Sequence, residues 1–170
     1  MRKRIISMVC TLAIVFSLSL VSLVNTMAAD SNGIQVDGSY LTIQDSAEAT
    51  TQKQLTSIKA RGEYMMDGDC SITKSGRGRI YVYASTTANT VVDYVGTIIY
   101  VDRYHEDTGK WGQVDCWQAE DHDTYFVSTS KTLKVERGYY YRVHADHFAG
   151  MDANYPYDEA TTATDGIYIN

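Results

Sequence analysis

Leu133-Lys134-Val135-Glu136-Arg137-Gly138-Tyr139-Tyr140-Tyr141-Arg142-Val143 is the stretch that decides how this chain is built. Two apolar residues lead to a glycine that can turn the backbone, and an alternating tyrosine strand follows. Period two places Tyr139, Tyr141, Val143 and Ala145 on one face, the expected core side. Tyr140, Arg142, His144 and Asp146 fall on the other. Upstream, Ile98 to His105 and Trp111 to Val114 flank Glu106-Asp107-Thr108-Gly109-Lys110, a hairpin in which Gly109 can take positive φ. The apolar density from Val91 to Tyr104 predicts a central strand.

The same texture continues outward on both sides. Strands are expected at 62–66, 70–74, 78–86, 91–105, 111–118, 124–135, 139–147 and 166–170. Short strands at this spacing with turn signals between them predict an antiparallel sandwich or barrel. On the strand 78–86, Tyr81 and Tyr83 share a face opposite Ile80, Val82 and Ala84. The chain holds 14 Tyr against 3 Phe and 2 Trp. That balance suits strands whose outer faces are aromatic yet soluble. The single proline, Pro156, lies outside every expected strand. Residues 30–60 are polar; Leu55 and Ile58 give only a thin helical face, so a partly helical linker is expected there. The domain is then 61–170. Composition excludes a collagen, a proline-rich linker protein and a disordered tail.

Residues 133–143 resemble the start of strand F in fibronectin type III and other immunoglobulin-like sandwiches, where a tyrosine hydrogen-bonds back across the corner. The resemblance implies an all-β chain: a single antiparallel β-sandwich of that type. A wider likeness rests on Arg61-Gly62-Glu63-Tyr64, Cys70-Ser71-Ile72-Thr73, Gly76 to Ile80, Ser85-Thr86-Thr87-Ala88, the Trp111 hairpin and Gly138 to Val143. Together these resemble a family of small secreted, β-rich proteins of Gram-positive bacteria with no assigned function, over roughly residues 61–149. It implies secretion and a β fold and brings no catalytic residue.

The N-terminus sets the compartment. Arg2, Lys3 and Arg4 precede a charge-free apolar stretch from Ile5 to Val24, with small residues up to Ala29. This is the order of a secretory signal peptide, 1–29, against the alternative of a retained membrane anchor. The expected location is secreted or extracellular, with association at the cell surface. Cleavage leaves no membrane insertion. Removing the leader's three positive charges moves the net charge from −6 to −9. Nucleic acid and anionic membrane surfaces are therefore poor partners, and cationic ones better. Cys10 leaves with the leader; Cys70 and Cys116 are expected to form one disulfide, the alternative being two reduced thiols.

Candidate sites follow from residue type. His144, Asp146 and His147 could hold Zn²⁺ with His105 or His122 as a further ligand. Asp152, Asn154, Asp158, Glu159 and Asp165 form an oxygen-rich loop that could hold Ca²⁺. Against both stands the reading of solvated strand and loop residues, with Arg142 pairing Asp146. Glu120-Asp121-His122-Asp123 reads as a solubilising turn. No Gly-x-Ser-x-Gly elbow, His-Glu-x-x-His or phosphate loop is present. Tyr81, Tyr83, Tyr140, Tyr155 and Tyr157 are candidates for an aromatic binding surface, against the reading that they merely cover the sheet. The expected function is a noncatalytic extracellular module binding a protein or glycan. The alternatives are a metal-binding protein and a small hydrolase using carboxylates.

Overall fold

The structure is a computed structural model that describes residues 31–51 and 62–170. The leader, Asp30 and residues 52–61, including Leu55 and Ile58, lie outside the described residues. Nine strands follow in order: β1 (Ser31–Val36), β2 (Ser39–Thr42), β3 (Ser46–Thr50), β4 (Met65–Lys74), β5 (Arg79–His105), β6 (Lys110–Lys134), β7 (Tyr139–Gly150), β8 (Asp158–Ala163) and β9 (Gly166–Ile169). A 3-10 turn at Asp152–Asn154 precedes β8.

All nine belong to one sheet, with main path β1-β2-β9-β7-β5-β4-β3. β6 joins it on β5, and β8 on β7. The antiparallel expectation is corrected in one place, since β2 and β9 run parallel with Leu41 opposite Gly166. In place of two stacked sheets there is one mixed sheet, curled into a half-barrel. The curl is made by β5 and β6, each expected as two strands. Between their paired stretches β5 advances from Thr87 to Val92 while β6 retreats only from Phe126 to Thr124. Surplus residues on one strand bend it, and Asp123 takes positive φ (52°) at the same corner of β6. The acidic run Glu120 to Asp123 is thus not a turn but strand: Glu120 to His122 pair with Gly96 to Tyr94, and only Asp123 stands at the bend. One arm of β5 pairs with β4, and the other with β7.

The two arms face each other across the core. Ile72, Ile80, Val82 and Ala84 come from one side; Ile99, Val101, Tyr141, Val143, Ala145, Ile167 and Ile169 from the other. A smaller cluster of Met65, Ala88, Val92, Val95, Val127 and Ala149 fills the corner. Tyr141, Val143 and Ala145 of β7 face the core as expected, but Tyr139, expected there too, is exposed at the start of the strand, and Arg142, expected outward, is buried. The Tyr141 hydroxyl donates to the Glu136 carbonyl at 2.9 Å. On the open side, Trp117 of one β6 arm reaches the other arm. Its indole N–H donates to Thr129 Oγ1 at 3.0 Å, under the Lys131 ammonium at 4.2 Å.

Two expectations are overturned. Residues 31–51, read as linker, are structural: β3 lays buried Ala49 against the core, and β2 buries Leu41, Ser39 and Thr42. The disulfide is absent, because both cysteines are free. Cys70 is buried in the core opposite Ala84, whereas Cys116 is exposed opposite Tyr100 on the outer face. Burial pushes the Cys70 thiol up to about 12, so it stays protonated, 3.8 Å from the Val143 carbonyl.

Candidate binding surface

The outer face of the second β5 arm and β7 carries Tyr94, Gly96 and Ile98 beside Asp146, Phe148 and Gly150. The two glycines make the floor. A Cβ on Gly96 would lie 2.6 Å from the Tyr94 hydroxyl, and one on Gly150 would lie 2.9 Å from Cδ1 of Tyr157. Only hydrogen at these positions lets both rings lie down on the sheet. There they stack, centroids 4.7 Å apart and 8° from parallel. Tyr155 stands at 82° to Tyr157, centroids 5.4 Å apart, and is 76% exposed. Tyr94, Ile98, Phe148, Tyr155, Pro156, Tyr157 and Glu159 enclose a cleft of about 330 Å³.

Carboxylates fix the rings. Tyr157 donates to Asp152 at 2.7 Å, which pushes its phenol up to about 12. The Asp152 backbone N–H donates to Asp93 at 2.9 Å, and Tyr94 donates to Glu120 at 3.2 Å. Burial, then Glu120, raises the Tyr94 phenol. Both rings stay neutral donors at physiological pH. The His122 ring meets the edge of Tyr94 at 5.5 Å.

The other expected aromatics lie apart. Tyr81 and Tyr83 sit on the outer face of the first β5 arm, opposite Thr73 and Ser71 of β4 and Thr132 and Ser130 of β6. Tyr140 packs against Tyr168 of β9, 5.1 Å between centroids. Of the five, only Tyr155 and Tyr157 come together. Their third partner, Tyr94, was missed; the signal was Tyr94-x-Gly96, a ring two residues from a glycine on one strand face.

The expected metal ligands do not converge. His144 Nδ1 lies 3.0 Å from Asp102 Oδ2, and its ring stacks on Tyr100 at 4.5 Å. Arg142 Nε also donates to Asp102, at 3.1 Å, so its carboxylate partner is Asp102 and not Asp146. Burial alone would raise the Asp102 carboxyl, but His144 and Arg142 together hold it below its ordinary value. Asp146 accepts from Thr161, and Asp158 accepts from the backbone N–H groups of Tyr64 and Met65. His147 faces inward, between Thr86 and Thr162. The third-ligand candidates lie elsewhere: His105 against Gly112 on the hairpin, and His122 beside the Asp93 carbonyl. Among the described residues no group of three His, Cys, Asp or Glu side chains is arranged to hold an ion.

No curated protein and no solved structure matches the chain. Residues 27–166 match a family of unknown function, DUF6147, a wider span than the likeness read from residues 61–149. That match covers most of the chain, both arms of the curl and the aromatic cleft, and the protein belongs to this family.

Proposed function

We propose that this is a secreted, noncatalytic binding module of a Gram-positive bacterium that takes a glycan in the aromatic cleft. Secretion and origin rest on the leader sequence and on the likeness in residues 61–149. The immunoglobulin-like kinship is part of the same proposal, supported by the Tyr141 hydroxyl bridging back to Glu136. One observation carries the binding reading: two tyrosine rings of the loop before β8 stand at right angles above the sheet, with Tyr155 largely free in solvent. A pyranose has one apolar C–H face and an equatorial rim of hydroxyls. Rings supply area for the first at low entropic cost. The Glu159 carboxylate, at the edge of the cleft, supplies an acceptor for the second.

A glycan array followed by calorimetry on the best hit tests this. Tyr155→Ala is expected to weaken binding at least tenfold with Tm unchanged, since the ring is exposed. Gly150→Ala, which must displace Tyr157, is expected to weaken it likewise. Unaltered binding in both variants, or no hit on the array, overturns the reading.

A further inference from the structure

Charge is unevenly placed on this acidic chain. Every described Lys and Arg lies between Lys74 and Arg142; Lys53, Lys59 and Arg61 belong to the segment outside the described residues. Four of these cations meet at the end remote from the corner. Arg79 of β5 stands directly opposite Lys134 of β6. The Val135 N–H donates to the Gly78 carbonyl at 3.0 Å and joins the β4–β5 turn to the β6–β7 turn. A Cβ on Gly78 would touch Arg137 Cγ at 3.3 Å, so Arg137 lies across that junction beside Arg77. Arg77, Lys134 and Arg137 line one groove of about 500 Å³, and Lys74, Arg77 and Arg137 line its neighbour of about 570 Å³.

Like charges directly opposite on neighbouring strands destabilise a sheet. Carboxylates are close by, yet they are occupied: Asp45 holds Lys74 at 2.8 Å and Glu136 holds Arg103 at 2.6 Å. Arg77, Arg79, Lys134 and Arg137 have no ion-pair partner among the described residues. We infer that this end is a second binding site, independent of the aromatic cleft, and that its ligand is a phosphate-bearing polymer.

Three of the four cations are arginines, whose planar fork matches phosphate oxygens in pairs. Arg77 and Arg137 line both grooves between the two turns, and Lys134 lines one of them. An extended strand of phosphates would neutralise them one after another. An anionic membrane calls instead for exposed apolar anchors among lysines, and the apolar residue among these cations, Val135, packs against the core.

The probe is long-chain inorganic polyphosphate, titrated into the protein at low and at physiological salt, beside phosphatidylglycerol vesicles. Polyphosphate is expected to bind with an affinity that falls as salt rises. The double variant Arg77→Gln, Arg137→Gln is expected to weaken it at least tenfold and flatten the salt dependence. Lys134→Glu is expected to weaken it as well while raising Tm by about 1–3 °C, because it turns a cross-strand repulsion into an attraction. That rise separates lost binding from lost fold. Absence of polyphosphate binding at low salt, or binding that the variants leave intact, overturns the inference. Vesicle binding without polyphosphate binding overturns it in favour of a membrane.

Discussion

His147 is sealed from solvent, and each ring nitrogen has one hydroxyl partner: Thr86 at 2.9 Å on Nδ1 and Thr162 at 2.8 Å on Nε2. Gly68 lies under the ring, where any Cβ would strike it. Burial lowers the imidazole from 6.5 to about 4, outweighing the nearby Asp146 and Asp67 charges. Between those values the unfolded chain binds a proton that the folded chain refuses. Stability is therefore fully present above pH 6.5 and declines as the pH falls towards 4, a loss on the order of 3 kcal/mol from this group. Urea unfolding between pH 4 and 7.5 checks it. His147→Gln, which keeps a donor and an acceptor, is expected to flatten that part of the profile; an identical profile would contradict a buried neutral imidazole. Reading His147 as a ligand beside His144 passed over the sequence's own rule. Period two, carried past Ala145, sends His147 to the core side, away from His144 and Asp146.

At the scale of elements, local signals were readable where they close within a few residues. The hairpin about Gly109, the inward face Tyr141-Val143-Ala145 of β7 and the Tyr141 corner all arise from short-range geometry, and each stands where the sequence places it. Elements that depend on distant partners were not readable. Asn89 and Thr90 read as a break, yet they belong to the bend of one strand, a shape set by which partners pair with each arm. Trp117 lies among exposed polar residues on β6, and only the curl shows that it clasps Thr129 and Lys131. Tyr94 and Tyr157 meet for the same reason, from segments that share no pattern. The clasp has a measurable consequence. Trp117 packs partly buried against the core at the open side, so Trp117→Ala is expected to cost about 2–3 kcal/mol, below a fully buried indole. Denaturant unfolding reads this directly; a change under about 0.5 kcal/mol, ordinary for a surface residue, would mean that the clasp does not hold the arms.

At the scale of the whole molecule, the sheet needs its first strands. A domain beginning at residue 61 would lack β1, β2 and β3, which the polar composition of residues 30–60 disguised as linker. Composition misled because these strands bury small and polar residues, satisfied by hydrogen bonds. The Ser39 hydroxyl donates to the Thr164 carbonyl at 2.7 Å, and Thr42 donates to the Gly166 carbonyl at 2.9 Å. Arg142 donates to Ser39 Oγ at 3.1 Å and to the Asp37 carbonyl at 3.2 Å, and the Trp111 indole donates to the Val36 carbonyl at 3.0 Å. Removing these strands would expose the β4 and β9 edges and uncover the Arg142–Asp102 pair together. Each buried donor left unpaired costs about 1–3 kcal/mol, and a whole domain holds only about 5–15. The expected outcome is that a chain from residue 31 gives a dispersed amide NMR spectrum and a cooperative melt. One from residue 61 is expected to give a collapsed spectrum or precipitate. A dispersed spectrum from the shorter chain would show that the fold does not need β1 to β3.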